Sequence, residues 1–223
     1  MCGRYNVADN ALMRALAKSL RVDHFPEPRK NIAPGAKGQF VYEHDGVRSL
    51  VDGYWSLLIE PKPEDHPGYR PNPRFKTFNA RSDRLLSSPL WRGRIHQKRA
   101  IIPATGYHEW VGKQCYQIEQ LEQSIAFAGM YELWEFRDEL VPAYTIITLQ
   151  EHPRLAHIHD TMPMLLTEKN FDVWLDPTFT QIEALHDLMR PYLHHPLRVI
   201  PVSSPATLIP AGEDQLIAKD VSA

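Results

Sequence analysis

Gln39-Phe-Val-Tyr-Glu43, His44-Asp45-Gly46 and Arg48-Ser-Leu-Val-Asp-Gly-Tyr54 follow one another in the chain, and their reading decides the fold. Two β-rich runs on either side of a short Asp-Gly turn predict an antiparallel hairpin. Downstream, the runs Ala100–Ala104, Gln114–Ile118, Ser124–Tyr131 and Ala143–Leu149 read as further strands, with a turn at Gly112-Lys113 between the first two. Leu197–Val202 reads as a last strand. Upstream, residues 10–21 read as an amphipathic helix with Leu12, Leu16 and Leu20 on one face and Asp9 or Asn10 as its cap. Helical patterns recur at Glu168–Leu175 and Thr180–Leu193. Strands and helices do not alternate regularly, so the expected class is α+β, built mainly on antiparallel sheet.

The 223 residues suit a single domain over 1–223. The stretch 25–38 reads as an ordered loop. Residues 60–77 carry Pro61, Pro63, Pro67, Pro71 and Pro73 among charges and read as a long surface loop. A net charge of −2 argues against a globally basic nucleic-acid binder and leaves room for a local basic groove. Arg70, Arg74, Lys76, Arg81 and Arg84, followed by Arg92, Arg94, Lys98 and Arg99, are candidates for a phosphate channel. No apolar run reaches the ~20 residues of a membrane span, and the start does not read as a secretory signal. With only Cys2 and Cys115, a disulfide framework is excluded and a cytoplasmic protein is expected.

Cys2 carries the chemistry. Loss of Met1 leaves a chain that starts Cys-Gly-Arg, with an amine and a thiol on neighbouring carbons. An α-amine with a pKa of about 7.7–8.0 is roughly a tenth neutral near pH 7, against about a thousandth for a lysine. Such an amine forms a Schiff base with an aldehyde, and the thiol then closes a thiazolidine ring. An internal cysteine cannot do this. The same terminus also suits an N-terminal-nucleophile amidohydrolase. Gly3 allows close backbone approach, and Arg4 sets a cation beside the thiol.

Four more segments stand with Met-Cys-Gly-Arg in order: Asn31-Ile-Ala-Pro-Gly35, Asn79-Ala-Arg81, Gly106-Tyr-His-Glu109-Trp110 and His157-Ile-His159-Asp160-Thr-Met-Pro163. Together they resemble the SOS-response-associated peptidase (SRAP) family. The resemblance implies a barrel-like, mainly antiparallel core surrounded by helices. It also implies an abasic-site processing protein of the DNA damage response. Its partner would be single-stranded DNA carrying abasic sites, trapped through Cys2 as a thiazolidine crosslink, with autoproteolytic loss of Met1 and β-elimination lyase activity. On this resemblance Glu109 takes a proton from the α-amine, His159 shuttles protons and Asn79 holds the sugar. Arg4 and Arg81 grip flanking phosphates, Thr148 lies near the lesion, and Asn31 and Pro34 form the site wall. No cofactor, metal or membrane is implied, and the expected protein is a monomer, nucleoid-associated when on DNA.

The sequence departs from the family where Thr161 replaces an arginine after His-Asp and where Trp55-Ser-Leu-Leu-Ile59 lacks the usual Gly and Pro. The aromatic wedge that usually follows is also missing, and Tyr69, Phe75 or Phe78 are its candidate replacements. The ending at Val202-Ser-Ser-Pro205 lacks the usual asparagines. Rival readings stand beside this one. They are an N-terminal-nucleophile thiol peptidase acting on other chains and a non-catalytic single-strand binding module. A zinc hydrolase fails on Gly112, where His108-Glu109 would need a second histidine. Residue by residue, Glu109 could be a surface strand residue, His159 a core histidine, Asn79 a turn residue, and Arg81 the partner of Asp83 or Asp160.

Overall fold

The computed structural model describes residues 3–63 and 66–221, the side chains of 182 and 186 aside. The strands are β1 (Arg4–Val7), β2 (Arg29–Ile32), β3 (Lys37–His44), β4 (Val47–Trp55), β5 (Ile59–Pro61), β6 (Tyr69–Pro71), β7 (Asn79–Arg81), β8 (Arg99–Ala104), β9 (Gly106–Val111), β10 (Gln114–Gln120), β11 (Ile125–Phe136), β12 (Glu139–Gln150), β13 (Thr161–Pro163), β14 (Leu197–Val202) and β15 (Gln215–Ile217). The α-helices are α1 (Ala11–Leu20), α2 (Pro89–Gln97) and α3 (Glu168–Leu175).

The predicted hairpin is β3–β4. It pairs from Lys37↔Tyr54 to His44↔Val47, and Asp45 and Gly46 both take positive φ, as a tight hairpin turn requires. From β4 the pairing continues to β12, β11, β8 and back to β3, closing a five-strand barrel. The β4–β12 seam is parallel, Ala143↔Tyr54 and Tyr144↔Trp55, and the other four are antiparallel. A second, wholly antiparallel sheet runs β15-β14-β10-β9-β1-β2. This is the α+β architecture with a barrel-like core.

Both sheets share one apolar core, in which Tyr5, Phe40, Trp55, Tyr107, Phe127 and Tyr144 are fully buried. The Tyr5 and Tyr144 hydroxyls meet at 2.6 Å and join β1 to β12. A Cβ on Gly38 would lie 2.0 Å from the Tyr5 hydroxyl, so only glycine permits that contact. Helix α1 starts where Asn10 Oδ1 accepts the Met13 N–H at 2.8 Å. Its buried face is Met13, Leu16, Ala17 and Leu20, with Leu12 at the margin rather than in the core.

Several elements differ from their sequence reading. The turn at Gly112-Lys113 joins β9 to β10, and β9 is a strand of its own that the run of short strands concealed. Helix α2 carries no clear apolar stripe in the sequence, since only Trp91 and Ile95 among its nine residues are buried. Pro191 blocks the pattern at 180–193, which forms a 3-10 helix over Ile182–Met189. The stretch 60–77 is partly ordered as the β5–β6 ribbon, tied by Arg70 to Glu60.

In the second basic run Arg94, Lys98 and Arg99 are engaged in structural contacts rather than free to line a phosphate channel. Arg99 is buried, and its guanidinium donates to the carbonyls of Ile95, His96, Trp174, Asp176 and Phe179. Burial holds its pKa down to about 10. Arg94 and Lys98 both pair with Glu132. Arg74, Lys76, Arg84 and Arg92 stay exposed.

Candidate active site

Cys2 lies outside the described residues. The strand that follows it is well placed. The β1–β9 register runs Asn6↔Gly106, Tyr5↔Tyr107, Arg4↔His108, so Gly3 continues toward the Glu109 end of β9. The Arg4 side chain is half-buried, and its guanidinium donates to the Gly3 carbonyl at 2.9 Å.

Glu109 is not a surface residue. It is 3% exposed, on the face of β9 turned toward His159. Burial, with a smaller contribution from Asp160, pushes its carboxyl up to about 7. The acid is thus poised to hold or release a proton near neutral pH.

His159 comes from the loop between β12 and β13 and is half-buried. Its Nε2 stands 4.0 Å from Glu109 Oε2. Two groups converge on the other nitrogen: Asp160 Oδ1 at 2.6 Å and the Thr161 N–H at 3.1 Å. With its proton on Nδ1 the ring donates to Asp160. With its proton on Nε2 it accepts from Thr161. Either tautomer is supported, so Nε2 can gain or lose a proton without the ring turning. Burial lowers its pKa, opposed by Asp160. Thr161 is therefore a partner of the histidine, and its hydroxyl stands 3.2 Å from Nδ1.

Asn79, Arg81 and Thr148 arrive together on the barrel side. Strand β7 lies parallel to β12 with Ile146↔Asn79 and Thr148↔Arg81, and Thr148 also faces Pro163 of β13. Asn79 is buried, not in an open turn. Arg81 is exposed and pairs with Asp83 at 2.7 Å, the structural partnership open to it from the sequence. Thr148 is buried, and its hydroxyl has no hydrogen-bond partner among the described residues.

Asn31 takes a positive φ in β2, and its N–H donates to buried Asn6 at 2.6 Å, which fixes the wall strand to β1. The serine at 56 is accommodated by Thr77, whose hydroxyl is 3.0 Å away and also accepts the Leu58 N–H. Of the three candidate wedge residues, Tyr69 packs on Phe136 and donates to Glu139, Phe78 packs on Trp55, and Phe75 is 54% exposed.

Sequence reasoning missed Asp160 and Thr161 as partners of His159, although adjacency could have pointed to them. His108, read from the sequence only as part of a zinc motif, is fully buried opposite Arg4 in the β1–β9 register, with a pKa held down to about 4 by burial. Among the described residues, no three His, Cys, Asp or Glu side chains converge as a metal-binding group. No described helix is long and apolar enough to cross a membrane.

A family model described as SOS response associated peptidase (SRAP) matches residues 1–206. The chain belongs to this family. Among SRAP relatives, "Abasic site processing protein YobE" of Bacillus subtilis is 30% identical over 216 residues, 92% of this chain and 95% of that protein. "Abasic site processing protein YedK" of Escherichia coli is 27% identical over 195 residues, covering 82% of this chain and 83% of its own. "Abasic site processing protein HMCES" of Gallus gallus is 31% identical over 171 residues, 65% of this chain and 50% of that one. A crystal structure of a Bacteroides thetaiotaomicron protein has a similar fold, with a TM-score of 0.71, 22% identity, and coverage of 91% and 93%.

Proposed function

We propose that this SRAP chain processes abasic sites in single-stranded DNA, capturing the open-chain sugar aldehyde through the amine and thiol of Cys2 once Met1 has been removed by the protein itself. The observation that carries this reading is the buried Glu109 carboxyl near pKa 7, with His159 Nε2 4.0 Å away, at the end of β9 toward which Gly3 leads.

Glu109 accepts a proton from the terminal ammonium and frees the amine to attack the aldehyde carbon. His159 protonates the departing hydroxyl, and water leaves as the Schiff base forms. The thiol then adds across the C=N bond, its proton passes to nitrogen, and the thiazolidine closes. While the Schiff base persists, loss of a proton from the adjacent sugar carbon expels the 3′ phosphate by β-elimination, which is the lyase branch. Asn79 hydrogen-bonds the sugar, and Thr148 borders the lesion. Arg4 and Arg81 hold the flanking phosphates. The Arg81–Asp83 pair is exposed and screened by solvent, so a phosphate displaces Asp83 readily. Phe75, exposed on the segment after β6, is the one of the three candidate wedge residues left open to stack on a base.

The test is a denaturing gel of purified protein with a single-stranded oligonucleotide whose uracil has been excised by a glycosylase. The processed wild type gives a shifted band. Absence of that band, or an equal band from Cys2→Ala, refutes the proposal. Turnover of peptide substrates without DNA would favour the thiol-peptidase alternative instead.

A further inference from the structure

Resting on the abasic-site reading above, we propose that the C-terminal segment 215–220 is a strap that sets the position of the His159 loop, with Asp220 as its positioning residue. The loop 151–160 hangs from the β12–β13 hairpin. Its base is closed by the pair Gln150↔Thr161 and by the Glu151 N–H on the Asp160 carbonyl at 3.3 Å. Its outer part is tied to the strap at three points.

The first is His152. Its Nδ1 accepts the Arg154 N–H at 3.2 Å and caps the short 3-10 turn Pro153–Leu155. With Nδ1 accepting, the ring proton sits on Nε2, which donates to Asp220 Oδ2 at 3.1 Å. The same carboxylate oxygen accepts the Leu193 N–H at 2.9 Å, and the Asp220 N–H donates back to the Leu193 carbonyl at 2.8 Å. The second point is Arg154, whose Nη1 donates to the Ala218 carbonyl at 2.5 Å. The third is His157, with Nε2 3.0 Å from Gln215 Oε1.

The strap has its own anchor. Strand β15 pairs with β14, and Ile217 is buried in the core. The chain from His152 to His159 is short and internally bonded, with the Leu155 N–H on the His152 carbonyl and the His159 N–H on the Leu155 carbonyl. A displacement at His152 is therefore carried to the ring whose Nε2 stands 4.0 Å from Glu109. All these strap residues lie beyond residue 206, where the family match ends. Asp220 touches no reacting atom and acts only through His159.

The experiment measures the rate of adduct formation on abasic single-stranded DNA for full-length protein. Asp220→Ala is expected to slow the wild-type rate about tenfold, in line with the sensitivity of such chemistry to small misplacements. Arg154→Ala, at the surface, is expected to slow it about threefold. Asp220→Asn keeps an oxygen for both the His152 and Leu193 donors but gives up the Arg154 ion pair, 3.5 Å from Oδ1, and is expected to slow the rate no more than Arg154→Ala does. The decisive readout is non-additivity: in a His159→Ala background, Asp220→Ala adds no further slowing. Binding of undamaged strands stays unchanged. Should Asp220→Ala not fold, Arg154→Ala is put through the same cycle. Wild-type rates in Asp220→Ala or, in that event, Arg154→Ala, or losses that multiply with that of His159→Ala, overturn the strap. A wild type that forms no adduct overturns the abasic-site reading itself, a separate outcome.

Discussion

Replacing Glu109 by glutamine removes a proton-holding group and little else, since the two side chains have nearly the same shape. The carboxyl is 3% exposed and pushed up to about 7 by burial, from an ordinary value of 4.5. Between those two values the folded protein keeps a proton that the unfolded chain has released. Its contribution to stability is therefore intact below pH 4.5 and is lost as pH rises through 7. At about 1.4 kcal/mol per pH unit, the window corresponds to about 3 kcal/mol. Glutamine does not titrate. Urea unfolding should show Glu109→Gln gaining about 3 kcal/mol on the wild type between pH 4.5 and pH 8.

Activity should move the other way. Only one proton must leave the Glu109–ammonium pair, so the wild-type adduct rate should rise with a midpoint near pH 7. In Glu109→Gln the amine loses its proton to water, and the midpoint should shift to about 7.7–8.0. The rate at pH 7 should fall about a hundredfold, the lower range of general-base contributions. Adduct formation followed by quenched gel assay from pH 5.5 to 9 measures both quantities. A Glu109→Gln protein with the wild-type rate and midpoint, or with no pH-dependent stability gain, refutes the reasoning.

Other outcomes follow from the same geometry. His159→Ala should slow adduct formation ten- to a hundredfold while binding to undamaged single strands, read by fluorescence anisotropy, is unchanged. A matched loss of both would make the histidine structural. Arg81→Ala should weaken strand binding and lower the slope of log affinity against log salt by roughly one, without a change in Tm, because the Asp83 pair it breaks is exposed. Arg99→Met should destabilise the protein by about 3 kcal/mol or more in urea unfolding, since five carbonyls lose their donor, yet leave the salt slope of DNA binding alone.

Local signals made part of this fold legible. An Asp-Gly turn between β-rich runs specifies a hairpin, and Asn10 before an amphipathic run specifies a helix start, because each depends on residues a few positions apart. Barrel closure was not legible from periodicity, because the parallel β4–β12 seam joins residues about ninety positions apart, and the family resemblance alone implied it. The environment of Glu109 was hidden for the same reason. Its burial depends on a loop fifty residues later, and in sequence it has the look of an ordinary strand charge. The basic residues show the opposite failure. Arg81 and Arg99 look alike in a charged run, but Arg99 ends inside a cage of carbonyls supplied by α2 and by residues 174–179, which the charge pattern does not encode. The site residues came from motifs in family order. The supporting pair on His159 depends on the conformation of its loop, and the strap on tertiary contacts between segments distant in the chain.

The most direct measurement is peptide mass spectrometry of the adduct formed on an abasic single strand after protease and nuclease digestion. The account predicts a single modified peptide that begins at Cys2, with a mass equal to peptide plus sugar fragment less one water and both nitrogen and sulfur bonded to the same carbon. An adduct on a lysine, or on a peptide that still begins with Met1, would contradict it.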